Sequence, residues 1–349
     1  MPAFEGSARD QHLVDAIRVL AMDAVQRANS GHPGAPMGLA PAGYQVWTRH
    51  LRHNPLDVTW PDRDRFVLSL GHGSMLLYAL LYLTGHDLTL DDLKDFRQWD
   101  SRTPGHPEYG ITPGVETTTG PLGQGIANSV GMAVTERWLA YRFNQPGHQL
   151  VDHFTYAFCS DGDLMEGISH EAAEFAGHQK LGKLIWVYDD NQISIEGSTD
   201  LALSTDQELR FRAYGWQVLR VDDGNDREAI DAALTEARNN QEQPTLVILR
   251  TQIAYGSPNK AGTAASHGAP LGEDEIKATK ENLGYPSLDP FYVDPDALAW
   301  CREECRIRGR KLQDDWEEQL LSYRDEFPQE AEEFQAWVDG RLPEGWDAD

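Results

Sequence analysis

Two apolar, β-rich runs, each ending in a short polar turn, constrain this chain most. Phe154–Cys159 leads into Ser160-Asp161-Gly162-Asp163, and Leu184–Tyr188 leads into Asp189-Asp190-Asn191-Gln192-Ile193. Asp161 and Asn191 are 30 positions apart, and helix-like sequence from Glu166 to Lys180 fills the gap. Two neighbouring strands joined through a helix run parallel, because the crossover returns the chain to the same end. The pattern therefore predicts a strand–loop–helix–strand unit with oxygen-bearing side chains at the carboxyl ends of both strands. Open α/β sheets bind ligands at that edge. A carboxylate, an amide oxygen and a loop carbonyl, with no Cys or His among them, suit a hard cation such as Mg²⁺ or Ca²⁺. Two polar turns after strands produce the same pattern without any metal, so spacing alone leaves both readings open.

The flanking sequence extends the unit. Residues 10–29 form an amphipathic pattern with Leu13, Ile17, Leu20 and Ala24 on one face. A strand is expected over 65–70, followed by helices over 75–83, 86–100 and 126–141. After Asn191 come a helix over 204–214, a strand over 216–221, a helix over 226–238 and a strand over 244–250. Alternating helices and strands predict an α/β fold with a doubly wound parallel sheet flanked by helices. From 273 the pattern is helical and charged, with helices over 297–325 and 328–340. The expected division is a binding domain over 1–272 and a C-terminal helical extension and linker over 273–349.

Four histidines stand in turns rich in Gly and Pro. Asn29–Gly38 predicts a tight, exposed turn that places His32 on a loop. His72 lies between Gly71 and Gly73 at a strand-to-helix turn, where helix N–H groups can meet an anion. His106 is in the Pro/Gly loop Ser101–Glu108, and His267 is in a long, flexible loop over 251–272. Loop histidines are commonly just solvated, but imidazole is the side chain best suited to proton exchange near neutrality. Gly120-Pro121-Leu122-Gly123-Gln124-Gly125 opens a helix and permits close backbone approach. It is not a phosphate loop of the Walker type, because no Lys-Ser/Thr follows the last Gly. No Gly-x-Gly-x-x-Gly with an acidic residue about twenty positions on points to a dinucleotide.

Charge narrows the partners. Lys and Arg total 30 against 56 Asp and Glu, a net charge of −26. That excludes the basic footprint of a nucleic-acid binder. It also means that an anionic substrate must be drawn by a local positive site. Three cysteines without a matching His/Cys cluster argue against zinc and for a reduced chain. No signal-like segment follows Met1 and no apolar run is long enough to span a membrane, so a cytoplasmic, soluble protein is expected.

The pair of turns, with Asp161-Gly162-Asp163-Leu164-Met165-Glu166-Gly167-Ile168-Ser169-His170-Glu171 and Tyr188-Asp189-Asp190-Asn191, resembles the thiamine diphosphate motif of transketolases. The resemblance covers nearly the whole chain and matches only the family's first, diphosphate-binding domain. It implies a thiamine diphosphate-binding fold and transfer of a two-carbon ketol unit between sugar phosphates, the cofactor supplying the carbanion chemistry. It implies Asp161, Asn191 and the Ile193 carbonyl as metal ligands. Cofactor contacts would come from His72, Gly120, Pro121, Leu122, Gly162, Asn191 and His267. His32, His106 and His267 would be catalytic, with His32 and His267 also meeting substrate, and Glu166 would couple two active sites across a homodimer. The family's second domain, which holds the cofactor's pyrimidine, is not matched by this chain. The chain is thus expected to be a transketolase half, or a split subunit needing a pyrimidine-binding partner. A module that binds cofactor without turnover, or a dihydroxyacetone synthase-like ketol transferase, are the alternatives. The sequence departs from the family pattern at Ser160 and Gln192, where Gly is usual, and at Ala264-Ala265, which replace His-Asp.

Overall fold

A computed structural model describes residues 8–342 and 345–347. The residues directly after Met1 and Pro343-Glu344 of the linker-like stretch lie outside the described residues. In chain order, helices α1 (Ala8–Ala28) and α2 (Gly34–Gln45) precede strand β1 (Arg65–Leu68). Helices α3 (Ser74–Thr84), α4 (Leu90–Lys94) and α5 (Gln124–Phe143) lead to β2 (Thr155–Ser160). A short α6 (Asp161–Met165) and α7 (Gly167–His178) lead to β3 (Leu184–Asp190) and a small hairpin, β4 (Ile193–Ser194) with β5 (Gly197–Ser198). Then come α8 (Gln207–Ala213), β6 (Gln217–Val221), α9 (Arg227–Asn239), β7 (Thr245–Arg250), α10 (Glu273–Asn282), α11 (Pro295–Glu326) and α12 (Pro328–Val338).

The main sheet has the order β1-β2-β3-β7-β6 and every pairing in it is parallel. The chain crosses from β1 to β3, jumps to the far edge at β6, and returns to β7. That reversal places helices on both faces, as a doubly wound sheet requires. Side chains alternate accordingly. Phe66, Leu68, Tyr156, Phe158, Ile185 and Val187 join the core formed with α1, α2, α3 and α9. Val67, Ala157, Cys159, Trp186 and Tyr188 join the opposite core, with α5, α7 and Phe211. Because both faces are covered, the strands are apolar throughout instead of alternating. The register aligns Ser160 with Asp189, so the turns after β2 and β3 emerge side by side.

Several expected elements differ. The segment expected as an exposed turn, 29–38, contains the start of α2, and Gly34–Gln45 is buried along its whole length. Pro36 lies in the first turn, where its missing N–H breaks no helical bond. Pro41 would leave the Met37 carbonyl unpaired, and the Arg18 guanidinium donates to that carbonyl at 3.0 Å. The expected helix over 86–100 shrinks to Leu90–Lys94, started by a Thr89–Asp92 capping box. Arg97 and Asp100 have left-handed backbone angles (φ 63° and 56°), which end it. The helix expected over 166–180 is α7, Gly167–His178, and it is preceded by the unexpected short α6, with extended Glu166 at the joint. The loop 251–272, expected to be flexible, is tied down: Ala254 N–H donates to Gly34 O at 2.9 Å and Lys260 Nζ to Leu271 O at 2.8 Å.

The C-terminal helices pack onto the rest. Cys301 and Cys305 of α11 enter the larger core, and Lys280 pairs with Asp23 at 2.9 Å, both buried. Farther along, Trp316, Leu320 and Tyr323 pack with Phe334 of α12 against Trp60 and Phe143. Among the described residues no helix is long and apolar enough to cross a membrane.

Candidate functional site

The carboxyl ends of β1, β2 and β3 place three turns along one edge. Ser160 caps α6 by accepting from Asp163 N–H, while the Asp163 carboxylate accepts from Ser160 N–H, so Asp161 begins the helix directly after β2. Asp161 is buried, at 4% exposure. One carboxylate oxygen, Oδ1, accepts from the Tyr188 hydroxyl, and the nearby Gln192 backbone favours the charged form of this carboxylate. The 161 and 188–192 segments therefore meet. The other oxygen, Oδ2, is buried without a partner. Burial, with Asp189 and Asp190 nearby, raises the Asp161 pKa to about 7 against the lowering effect of the Tyr188 bond.

Asn191 is fixed on both sides. Its amide nitrogen donates to Asp189 Oδ2 at 2.7 Å, and its oxygen accepts from Ile193 N–H at 2.8 Å. An amide oxygen has two lone pairs, so one remains open. Asp189 is fully buried and also accepts from Thr251 Oγ1. Its pKa is raised to about 6, chiefly by burial. Gln192, where Gly is usual in the resembling family, adopts a left-handed φ of 61°.

The histidines converge. Ring centroids lie 5.0 Å apart for His32 and His72, 5.3 Å for His72 and His267, and 5.7 Å for His32 and His267. Three imidazolium ions at that spacing would repel strongly. Burial, reinforced by the other histidines, lowers His32 to about 4 and His72 to about 3, and burial lowers His267 too. All three are neutral at pH 7. His32 Nδ1 and His267 Nδ1 are buried and unpartnered. His32 is half-buried in front of α2, not on an exposed turn. His106 is exposed on its loop beside Gly120, and its pKa is lowered by partial burial and Arg97. Tight glycines hold these loops together. A Cβ at Gly71 would come 2.8 Å from Gly120 N, and one at Gly268 would come 3.1 Å from His32 Nε2. Leu122 touches Gly162, where a Cβ would lie 2.9 Å from Leu122 Cδ1.

Glu166 is exposed at the α6–α7 joint, close in sequence to exposed Met165 and Ile168. Some residues carried no signal in the sequence. Arg97 was expected inside a polar helix. It instead donates to Ser30 Oγ at 2.8 Å and places its positive charge where it acts on His32 and His106. Tyr188, whose hydroxyl holds Asp161, looked like a strand residue, and Thr251, which holds Asp189, looked like the start of a loop.

The residues fit a divalent cation bound with an anion. Asp161 Oδ2 lacks a partner, a lone pair of Asn191 is open, and neutral imidazoles with unpaired nitrogens can donate to phosphate oxygens. Among the described residues no three of His, Cys, Asp and Glu are grouped as a ligand set.

Residues 9–343 match the family described as transketolase, thiamine diphosphate binding domain. The chain belongs to that family. It is 54% identical over 335 residues to a transketolase of Geobacillus stearothermophilus, covering 96% of this chain and 50% of the relative. Against transketolase 2 of Escherichia coli the identity is 54% over 336 residues, again 96% and 50%. A transketolase of Pichia stipitis, solved as a complex with sedoheptulose 7-phosphate, superposes with a TM-score of 0.95 at 48% identity, covering 98% of this chain and 50% of that one. The chain spans about half the length of these transketolases and corresponds to their N-terminal, thiamine diphosphate-binding half.

Proposed function

We propose that this chain is the cofactor-anchoring half of a transketolase, moving a two-carbon ketol unit from a ketose phosphate to an aldose phosphate with thiamine diphosphate and Mg²⁺ (or Ca²⁺). The observation that carries the reading is the buried, unpartnered Oδ2 of Asp161, held in contact with the turn that bears Asn191. Asp161, Asn191 and the Ile193 carbonyl would hold the cation. His72, His267, Gly120, Pro121, Leu122 and Gly162 would line the cofactor. When bound, thiamine diphosphate supplies the electron sink for cleavage of the ketose carbon–carbon bond.

The chain's own groups supply the surroundings. His32, His106 and His267 donate hydrogen bonds to substrate hydroxyls and pass protons, their neutral forms kept by burial. Arg97 adds the local positive charge that the acidic chain otherwise lacks. The complex of the Pichia stipitis relative with a sugar phosphate supports this substrate class.

Residues 1–272 form the diphosphate- and metal-binding domain in this reading, and 273–349 a helical extension toward a pyrimidine-binding half, in the same polypeptide or a separate subunit. A homodimer in the cytoplasm is the proposed setting. Exposed Val134 and Trp138 on α5, with Ile168 and Phe175 on α7, give two packed helices an apolar outer surface, and Glu166 lies at its edge.

Calorimetric titration with thiamine diphosphate, with and without Mg²⁺, tests the anchoring role. Metal-dependent binding is expected, and its absence would refute the reading. An assay with xylulose 5-phosphate and ribose 5-phosphate, with and without a pyrimidine-domain partner, then tests catalysis. Turnover is expected with the partner. Binding without turnover in either case would leave a holding module, and preference for formaldehyde as acceptor would reassign the chain to a dihydroxyacetone synthase.

A further inference from the structure

The turn after β2 contains a second carboxylate, Asp163, that has no exposed surface. Among the described residues no cation pairs with it. Its four acceptor positions are instead filled by donors from three separate segments. Oδ1 accepts from Ser69 Oγ at 2.7 Å and from Gly123 N–H at 2.8 Å. Oδ2 accepts from Ser160 N–H at 2.9 Å and from Ser160 Oγ at 3.1 Å. Ser69 passes the link on, since its hydroxyl oxygen accepts from Ile126 N–H at 3.1 Å. Ser69 ends the β1 region three residues before His72, Gly123 follows Gly120-Pro121-Leu122, and Ser160 precedes Asp161. One carboxylate thus ties together the three turns that carry the candidate diphosphate and metal contacts.

We propose that Asp163 is the positioning residue that sets the spacing of these three turns, and that Ser160 is its matched partner. The proposal rests on the thiamine diphosphate reading above. A buried carboxylate without a counter-ion costs less the more of its lone pairs are used. Ser160 supplies the fourth donor, which a glycine at that position cannot. The departure from the family pattern is thereby accounted for: the hydroxyl completes the shell around Asp163, and it also caps α6. Asparagine is a poor replacement, because one of its two positions is an NH₂ that would face donors on whichever side it turned.

The test uses the whole chain and the variants D163N and S160G, with Leu320→Ala in the distant α11–α12 cluster as a control of reduced stability. In D163N, metal-dependent affinity for thiamine diphosphate is expected to fall at least about tenfold. Amide exchange at Gly123 and Ile126 should speed up selectively in the cofactor-free chain, while Val247 and Leu249 in the central strand stay protected. Leu320→Ala should destabilise the chain without either change. S160G, which keeps both backbone donors, should weaken binding about threefold. It is the deciding variant if D163N does not fold. Affinities within twofold of the parent in the deciding variant, or exchange accelerated evenly across the sheet, would overturn the proposal. If the parent chain binds no thiamine diphosphate, the cofactor reading fails and this positioning role fails with it, whereas selective exchange at Gly123 and Ile126 would still establish the carboxylate's hold on the turns.

Discussion

The two ends of the parallel sheet hold aspartates in opposite ways. At the amino end, Asp62 and Asp64 are each 2% exposed and fully engaged. Asp64 accepts from Phe154 N–H at 2.7 Å, Arg52 N–H at 2.9 Å and Arg238 at 3.2 Å. Asp62 accepts from Asp152 N–H at 2.7 Å and Arg52 at 3.0 Å, with His153 alongside at 3.1 Å. At the carboxyl end, Asp161 is as deeply buried, but its Oδ2 has no partner, and its charged neighbours are Asp189 and Asp190. Buried carboxylates with cations at hand are a structural clamp. A buried carboxylate left unsatisfied among others of its own charge is a place prepared for a cation. In the proposed reading the same residue type, at similar burial, serves stability at one end and cation binding at the other.

Matched substitutions at the two ends give the largest contrast. Asp64→Asn strips the charge opposite Arg238 and should lower unfolding free energy by about 3 kcal/mol in urea titrations. Asp161→Asn relieves repulsion and leaves the Tyr188 bond possible, so stability should stay within about 1 kcal/mol of the parent. Its metal-dependent affinity for thiamine diphosphate should nevertheless fall at least about 100-fold, or roughly 2.7 kcal/mol. The opposite pattern would break the comparison.

Ligand linkage sharpens it. Thiamine diphosphate with Mg²⁺ at about 100 times its dissociation constant should raise the unfolding free energy by roughly 2.7 kcal/mol. A chelator should abolish the increment. Asp64→Asn should keep it, because that end of the sheet takes no ligand, and Asp161→Asn should lose it.

The smallest expected effect is with pH. His32 and His72 titrate at about 4 and about 3 when folded, below the ordinary 6.5. The unfolded chain therefore binds more protons in that window. The stability they contribute is fully present above pH 6.5 and is lost as pH falls through the folded values. Asp161 and Asp189, raised to about 7 and about 6, act the other way in the same window, so the histidine contribution is read as a difference: the parent should lose more stability than His72→Asn as pH falls from 6.5 toward 4. A difference between parent and variant that does not change over this range would show that His72 is not buried in the neutral form.

Much of this was legible beforehand because strands covered on both faces are plain in sequence. Phe154–Cys159 and Leu184–Tyr188 are apolar throughout, and the turns after them sit in register as spacing implied. The family motif carried the likeness to the thiamine diphosphate-binding half of transketolases, as the match over 9–343 bears out. Local rules failed where tertiary contacts outweighed them. Gly34, Pro36, Gly38 and Pro41 argue for a turn, yet they form α2, because close packing needs small residues: a Cβ at Gly34 would come 2.5 Å from Ser266 O. The 86–100 segment has helical composition but bends back at Arg97 and Asp100, and nothing in its pattern marks those left-handed residues. The proximity of His32, His72 and His267 could not be read from spacing; only the family resemblance implied that they gather around one cofactor. Their loops are far apart in sequence and meet only through the fold.

The central claim is that Asp161 is left open for a cation that anchors a diphosphate. The most direct measurement is anomalous diffraction from crystals of this chain grown with thiamine diphosphate and Mn²⁺ in place of Mg²⁺. The account predicts one anomalous peak at roughly 2.1 Å from an Asp161 carboxylate oxygen, also ligated by Asn191 and the diphosphate. A bound cofactor whose metal peak lies elsewhere, with Asp161 still uncoordinated, would contradict it.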